Sequence, residues 1–266
     1  MNKLAGLMVL VTRPQPAGEA LSQEIREQGG IAINLPTIEF GNAPVNEPWQ
    51  EKIALLNQQD WLIFVSPHAV KTGLALLQQE GTTLPSHLKL AAVGSATAQA
   101  LTTEGYHVDA YPAENQSSEG LLALRIFENV AGKRIMIVRG EGGRETLENN
   151  LRAKGAMVTP WITYRRLLPT LNTVECDTLC QPGRFDVVVT TSYEGVKNFK
   201  ILAGDKGWSI IQSIPLIVVS ERVKLLAMAL GFQTIWVAKN ASHAAIIEIL
   251  SKRRNDLCRI KSMNLR

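Results

Sequence analysis

The feature that most limits how this chain can fold is that it repeats itself. Ile135–Val138 stands 126 residues after Val9–Thr12, and Arg13 is followed at the same offset by Arg139. Glu19 matches Glu145, Leu21 matches Leu147, Arg26 matches Arg152, and Gly29 matches Gly155. Thr37 matches Thr163, Asp60 matches Asp186, Ser66 matches Ser192, Val93 matches Val219, and Gly105 matches Gly231. The matches fall on strand ends, helix stops and one apolar face, where a duplicated fold would keep them. A later pair, Asn115-Gln116-Ser117 and Asn240-Ala241-Ser242, fits with a one-residue slip. At 266 residues the chain has room for two such units, each with its own core.

Each copy alternates short apolar runs with helical patterns. Val9–Val11, Trp61–Val65 and Leu90–Val93 are aliphatic runs of the kind that form parallel strands covered on both faces. After the first of them Ala17, Leu21 and Ile25 recur every four residues until Gly29-Gly30 stops the helix. The architecture expected is α/β, with parallel sheets. Neighbouring elements usually pack together, so this pattern alone draws two consecutive domains.

A sequence pI near 9 raises the question of nucleic acid, and the position of the charge answers it. Six of the basic residues (Lys252, Arg253, Arg254, Arg259, Lys261 and Arg266) fall in the last fifteen positions against Asp256 alone. Without that segment 22 basic and 23 acidic residues remain, so the body is close to neutral. The basic tail, 252–266, reads as a solvated, frayed end rather than a nucleic-acid arm. Cys176, Cys180 and Cys258 are odd in number and lack metal-ligand spacing, as do the four scattered histidines. This points to a reducing compartment. The apolar run at 4–11 ends in Thr12-Arg13-Pro14 rather than in small residues suited to cleavage, and no stretch is long enough to span a membrane. A soluble cytoplasmic protein is expected.

In parallel α/β sheets ligands gather beyond the carboxyl ends of the strands, where helix N-termini present free N–H groups. Phe64-Val65-Ser66-Pro67 places Ser66 at an N-cap and Pro67 at the first helical position. Val93-Gly94-Ser95-Ala96-Thr97 also leads from a strand into a helix, and the counterparts are Thr190-Thr191-Ser192 and Val219-Ser220-Glu221-Arg222. Capping explains each hydroxyl singly; their recurrence at strand ends in both copies points to an anion-binding wall. The segment Val138-Arg139-Gly140-Glu141-Gly142-Gly143-Arg144-Glu145 has the placement of a phosphate loop. It has neither the G-x-G-x-x-G spacing nor a Gly-Lys-Ser/Thr. Its glycines let backbone amides approach a ligand, and Arg139 and Arg144 have the fork geometry for carboxylates. A tight turn with surface arginines is the other reading. No nucleophile–base pair, HExxH or CxxC stands out, so an enzyme of this composition would act by positioning and electrostatics.

Taken in order, Leu10-Val11-Thr12-Arg13-Pro14, Phe64-Val65-Ser66-Pro67-His68-Ala69-Val70, Ala92-Val93-Gly94-Ser95-Ala96-Thr97-Ala98, the Gly-rich turn at 138–145 and Tyr164-Arg165-Arg166 resemble the uroporphyrinogen-III synthases, those of bacteria in particular. The likeness runs from about Leu7 to Leu250. It implies two similar doubly wound parallel-sheet (flavodoxin-like) domains joined by a two-stranded linker, the HemD-like arrangement, with the active site in the cleft between them. The domains it implies are interleaved: residues 1–38 with 168–251, and residues 39–167, with hinge strands near 35–40 and 161–168.

The implied reaction is that of a cyclising hydro-lyase of haem, sirohaem and cobalamin biosynthesis that needs no cofactor or metal. The substrate is hydroxymethylbilane, a linear tetrapyrrole with carboxylates on every ring. Loss of its terminal hydroxyl gives an azafulvene cation, and the far pyrrole attacks through its substituted carbon. The spiro intermediate so formed fragments and recloses with that ring inverted. Uncatalysed closure gives the uninverted isomer, so the enzyme must impose the spiro-forming geometry first. Tyr164 matches the tyrosine proposed to assist departure of the hydroxyl, since a phenol can donate to a leaving oxygen. Ser66, Thr97 and Ser192 match cleft hydroxyls. Arg13, Gly94, Ser95, Arg139, Gly140, Gly142, Gly143, Arg144, Ser220 and Arg222 complete the substrate-binding set. Some relatives carry a Gly and Thr pair within the stretch that is Ser220-Glu221-Arg222-Val223 here, which departs from the pattern. A monomer in transient contact with the upstream deaminase is expected, without nucleic acid or membrane. Two other readings compete: a hinged two-domain binding protein for a small anion, and a nucleotide-dependent transferase using the Gly-rich turn.

Overall fold

The computed structural model describes residues 2–142, 145–179 and 181–264, with side chains through Leu257. Its contacts divide the chain into two compact units, residues 1–39 with 167–266 (unit 1) and residues 40–166 (unit 2). The chain begins in unit 1 with β1 (Met8–Val11), α1 (Ala17–Glu27) and β2 (Ile31–Asn34). It enters unit 2 through β3 (Glu39–Asn42), followed by α2 (Trp49–Ala54), β4 (Trp61–Phe64), α3 (Pro67–Gln79) and β5 (Lys89–Ala92). Next come α4 (Ser95–Thr103), α5 (Ser118–Leu122), β6 (Arg134–Gly140), α6 (Thr146–Ala153) and β7 (Met157–Leu167). Back in unit 1 it forms α7 (Thr173–Leu179), β8 (Val187–Val189), α8 (Tyr193–Ile211), β9 (Leu216–Val218), α9 (Glu221–Ala229), β10 (Ile235–Val237) and α10 (His243–Asn264).

The sheet of unit 1 has the order β2-β1-β8-β9-β10, all parallel. In unit 2 the order is β3-β7-β6-β4-β5, parallel from β7 to β5, and Ala110 adds a parallel bridge beyond β5. The repeat makes these two sheets the same object. Met8 pairs with Ile31, and their counterparts Arg134 and Met157 pair in the same register. Val9 pairs with Val187 as Ile135 pairs with Trp61, and Leu62 pairs with Leu90 as Val188 pairs with Leu216. The first sheet therefore takes β1 and β2 from one copy and β8, β9 and β10 from the other, while the second takes β6 and β7 from the second copy and β3, β4 and β5 from the first. The repeat identified the copies correctly, but the consecutive arrangement it suggested is not what forms.

Strand side chains alternate between two apolar layers, the mark of a sheet covered on both faces. In unit 1 Leu10, Val188, Leu216 and Val218 enter one core, while Val9, Val11, Val187, Val189 and Ile217 enter the other. In unit 2 Leu62, Phe64, Met136 and Val138 face one side, and Trp61, Ile63, Ile135 and Ile137 the other. These side chains are almost wholly buried, so each of the larger ones contributes roughly 1.5–3 kcal/mol through burial.

The tail corrects one expectation. As far as Asn264 it is helical rather than frayed, because α10 continues through residues 252–261; Arg266 lies outside the described residues. Ile246, Leu250 and Leu257 lie on one side of the helix and are buried with Leu4 and Leu7. Arg254 donates to the Ala5 carbonyl at 3.1 Å, and Arg253 lies over Trp236 while pairing with Asp256. Cys176 is free and exposed; Cys180 and the side chain of Cys258 lie outside the described residues.

Candidate active site

In unit 2, β4 delivers the chain to Ser66, which caps α3 by accepting the Ala69 N–H at 3.1 Å, with Pro67 opening the helix. The same oxygen lies 3.2 Å from the hydroxyl of Tyr164. Tyr164 sits on β7 and is 1% exposed. Gly140, at the end of β6, makes room for it: a Cβ there would stand 2.5 Å from the tyrosine ring. Phe40 and His68 stack on each other at 3.9 Å, and each meets the Tyr164 ring edge-on, at 5.5 and 4.6 Å. Arg166 lies near the tyrosine ring as well, at 5.8 Å. Burial, and then the charges of Lys71 and Arg166, hold the His68 imidazole below the ordinary histidine pKa.

Alongside, β5 runs into Gly94, the cap of α4, and Ser95 donates from its hydroxyl to Gln116 at 2.8 Å. Thr97 is buried in the first turn of α4. Ser95 also borders a groove of about 290 Å³ that it shares with Gln99, Thr102, Tyr106 and Tyr111.

The Gly-rich turn differs from expectation. Arg139 does bind a carboxylate, but it is that of Glu148 on α6, and both side chains are almost fully buried. The same guanidinium donates to the carbonyls of Gly140 and Gly142. Arg139 is thus a brace for the turn rather than a surface arginine offered to a ligand, because a buried cation needs its partners within the fold. Gly142 has a positive φ of 67°, which suits glycine at this bend. Gly143 and Arg144 lie outside the described residues.

In unit 1 Arg13 leaves β1 and donates to the Ala241 carbonyl at 3.1 Å; burial pushes its pKa down. Ser192 caps α8 by accepting the Gly195 N–H at 2.9 Å, and Ser220 caps α9 by accepting that of Val223 at 3.3 Å. Arg222 and Lys197 both approach the ring of the half-exposed Tyr193, each at 5.8 Å. The repeat permits a direct comparison of the units. Ser192 stands where Ser66 does, but Ile38 occupies the position of Tyr164, and Glu194 that of His68. The serine–phenol pair belongs to unit 2.

Sequence reasoning passed over Phe40, His68, Tyr193 and Lys197. His68 lay inside a quoted motif, but nothing in the spacing announced that β3 would bring Phe40 onto its ring. Among the described residues no group of three or more His, Cys, Asp or Glu side chains is placed to hold a metal ion. Nor is any described helix long and apolar enough to cross a membrane.

Two exchanged α/β units, with hydroxyls and helix N-termini at the carboxyl ends of their parallel strands, define the structural class. A crystal structure of a mutant uroporphyrinogen III synthase from the extremely thermophilic bacterium Thermus thermophilus shares that fold, with a TM-score of 0.64 over 94% of this chain and 100% of the other at 16% identity. The family model described as "Uroporphyrinogen-III synthase HemD" matches residues 19–248. Uroporphyrinogen-III synthase from Escherichia coli (strain K12) is 36% identical over 253 residues, covering 92% of this chain and 100% of the relative. That of Salmonella typhimurium is also 36% identical, over 248 residues, with the same coverage. The chain belongs to the uroporphyrinogen-III synthase family. These comparisons lend no support to the binding-protein reading.

Proposed function

We propose that this protein converts hydroxymethylbilane to uroporphyrinogen III, losing water and inverting the terminal ring through a spiro intermediate. The observation that carries this reading is the Ser66–Tyr164 hydroxyl pair in unit 2, whose equivalent positions in unit 1 are Ser192 and Ile38. A leaving hydroxyl needs a proton donor, and a fixed pair of hydroxyls supplies one without a cofactor.

The substrate carboxylates suit the remaining set. The N-termini of α3, α4, α8 and α9 carry the positive ends of their helix dipoles, and Ser95, Thr97, Ser192 and Ser220 lie in or beside their first turns. Arg13 and Arg222 add cationic partners in unit 1, and Gly140 and Gly142 add close backbone. Arg139 contributes by fixing the turn that carries those glycines. The two units act as the two domains, and the crossings at 39–40 and 166–167 link them. The protein works as a cytoplasmic monomer that receives its labile substrate from the upstream deaminase.

Purified protein should convert freshly generated hydroxymethylbilane, without added cofactor, to material that oxidises mainly to uroporphyrin III. Tyr164→Phe should lower that yield at least several-fold, while circular dichroism stays unchanged. Uroporphyrin I alone from folded wild-type protein would overturn the assignment.

A further inference from the structure

Tyr164 is 1% exposed as a residue, whereas Ser66, whose hydroxyl lies 3.2 Å from the phenol, is partly exposed and the more open of the two. A serine oxygen accepts two hydrogen bonds and donates one. In Ser66 one acceptor position takes the Ala69 N–H, and the second is open to the tyrosine O–H. The serine proton is then the one left to face outward. With the opposite polarity the phenol proton would point into the packed surroundings of Tyr164, where an unpaired donor is costly. Phe40, His68 and the absent side chain of Gly140 confine the ring to this arrangement.

We propose that Ser66 is the catalytic residue at the leaving hydroxyl, and that Tyr164 is a positioning residue acting through it. The proposal rests on the reaction assigned above. The Ser66 proton passes to the terminal hydroxyl of the substrate as the carbon–oxygen bond breaks and water departs. Ser66 takes the Tyr164 proton in the same motion. The pyrrole that closes the ring loses one proton, which returns to the phenolate through the same serine, so no acid or base is consumed. In unit 1 the position equivalent to Tyr164 is Ile38, which carries no hydroxyl, and Ser192 serves as a cap.

The test is a cycle of Ser66→Ala, Tyr164→Phe and the double variant, scored as isomer-III turnover. Ser66→Ala should lower kcat by at least about tenfold with KM little changed. Adding Tyr164→Phe to it should cost nothing more, because a relay broken at its first member is already broken. Ser66→Thr, which keeps the hydroxyl, should restore most of kcat. Loss of the cap is separated from loss of the proton by Ser66→Asp, which still caps α3 but cannot donate: it should stay folded by circular dichroism and be as slow as Ser66→Ala. Multiplicative losses in the double variant, or Ser66→Ala within twofold of wild type, would sink the relay. If wild type itself gives only isomer I, the failure lies with the assigned reaction.

Discussion

His68 shows how a single side chain couples packing to pH. Its imidazole is held between Phe40 and Tyr164 while Lys71 and Arg166 repel a proton, so its folded-state pKa lies below the ordinary value of about 6.5. An unfolded chain then binds a proton at a pH where the folded one does not, and stability rises with pH through that window. The contribution is complete above about 6.5 and declines as pH falls from there towards the depressed folded value. The urea midpoint should therefore drop as pH is lowered from about 7.5 to 5.5, and His68→Phe should flatten the drop. An unchanged slope in His68→Phe would assign the pH dependence elsewhere. Tyr164 was legible in the sequence through its motif and resemblance. Its burial was not, since that depends on Phe40, His68 and Gly140 arriving from three different elements.

Among elements, the strand-to-helix junctions were the most readable, because capping is local chemistry. Ser66, Ser192 and Ser220 all accept the N–H three residues on. The junction after β6 was misread, because Arg139 and Glu148 are nine residues apart and a turn must form before they meet. Their pairing ties the end of β6 to α6, and Arg152 adds a weaker contact to the same carboxylate at 3.6 Å. Glu148→Ala leaves a buried guanidinium without its counter-charge. It should lower the unfolding free energy by about 3–5 kcal/mol, read from denaturant titration. A loss under about 1 kcal/mol would mean that solvent reaches Arg139. The tail was misread in the opposite way: its charges hid the spacing that seats Leu250 and Leu257 beside Leu4 and Leu7.

For the whole molecule, the duplication was legible and the exchange was not. A repeat says which strands are equivalent, but both copies offer the same pairing surfaces, so pattern alone leaves open which copy each strand joins. Only the resemblance pointed to interleaving. Every strand of the second sheet lies at or within residues 39–167, whereas the first needs both arms of the chain. A fragment of residues 40–166 should accordingly show a cooperative thermal transition by circular dichroism, and residues 1–39 and 167–266 should each fail to do so alone. A non-cooperative 40–166 fragment would show that unit 2 depends on the rest of the chain. The same topology sets a timetable on the ribosome. Met8 donates to Asp186, 178 residues later, so β1 emerges long before its neighbour β8. At ordinary rates of synthesis that interval is roughly ten to thirty-five seconds. During it a strand of Val9, Leu10 and Val11 lacks one of its two partners while unit 2 is completed, which makes this nascent stretch a target for holding chaperones.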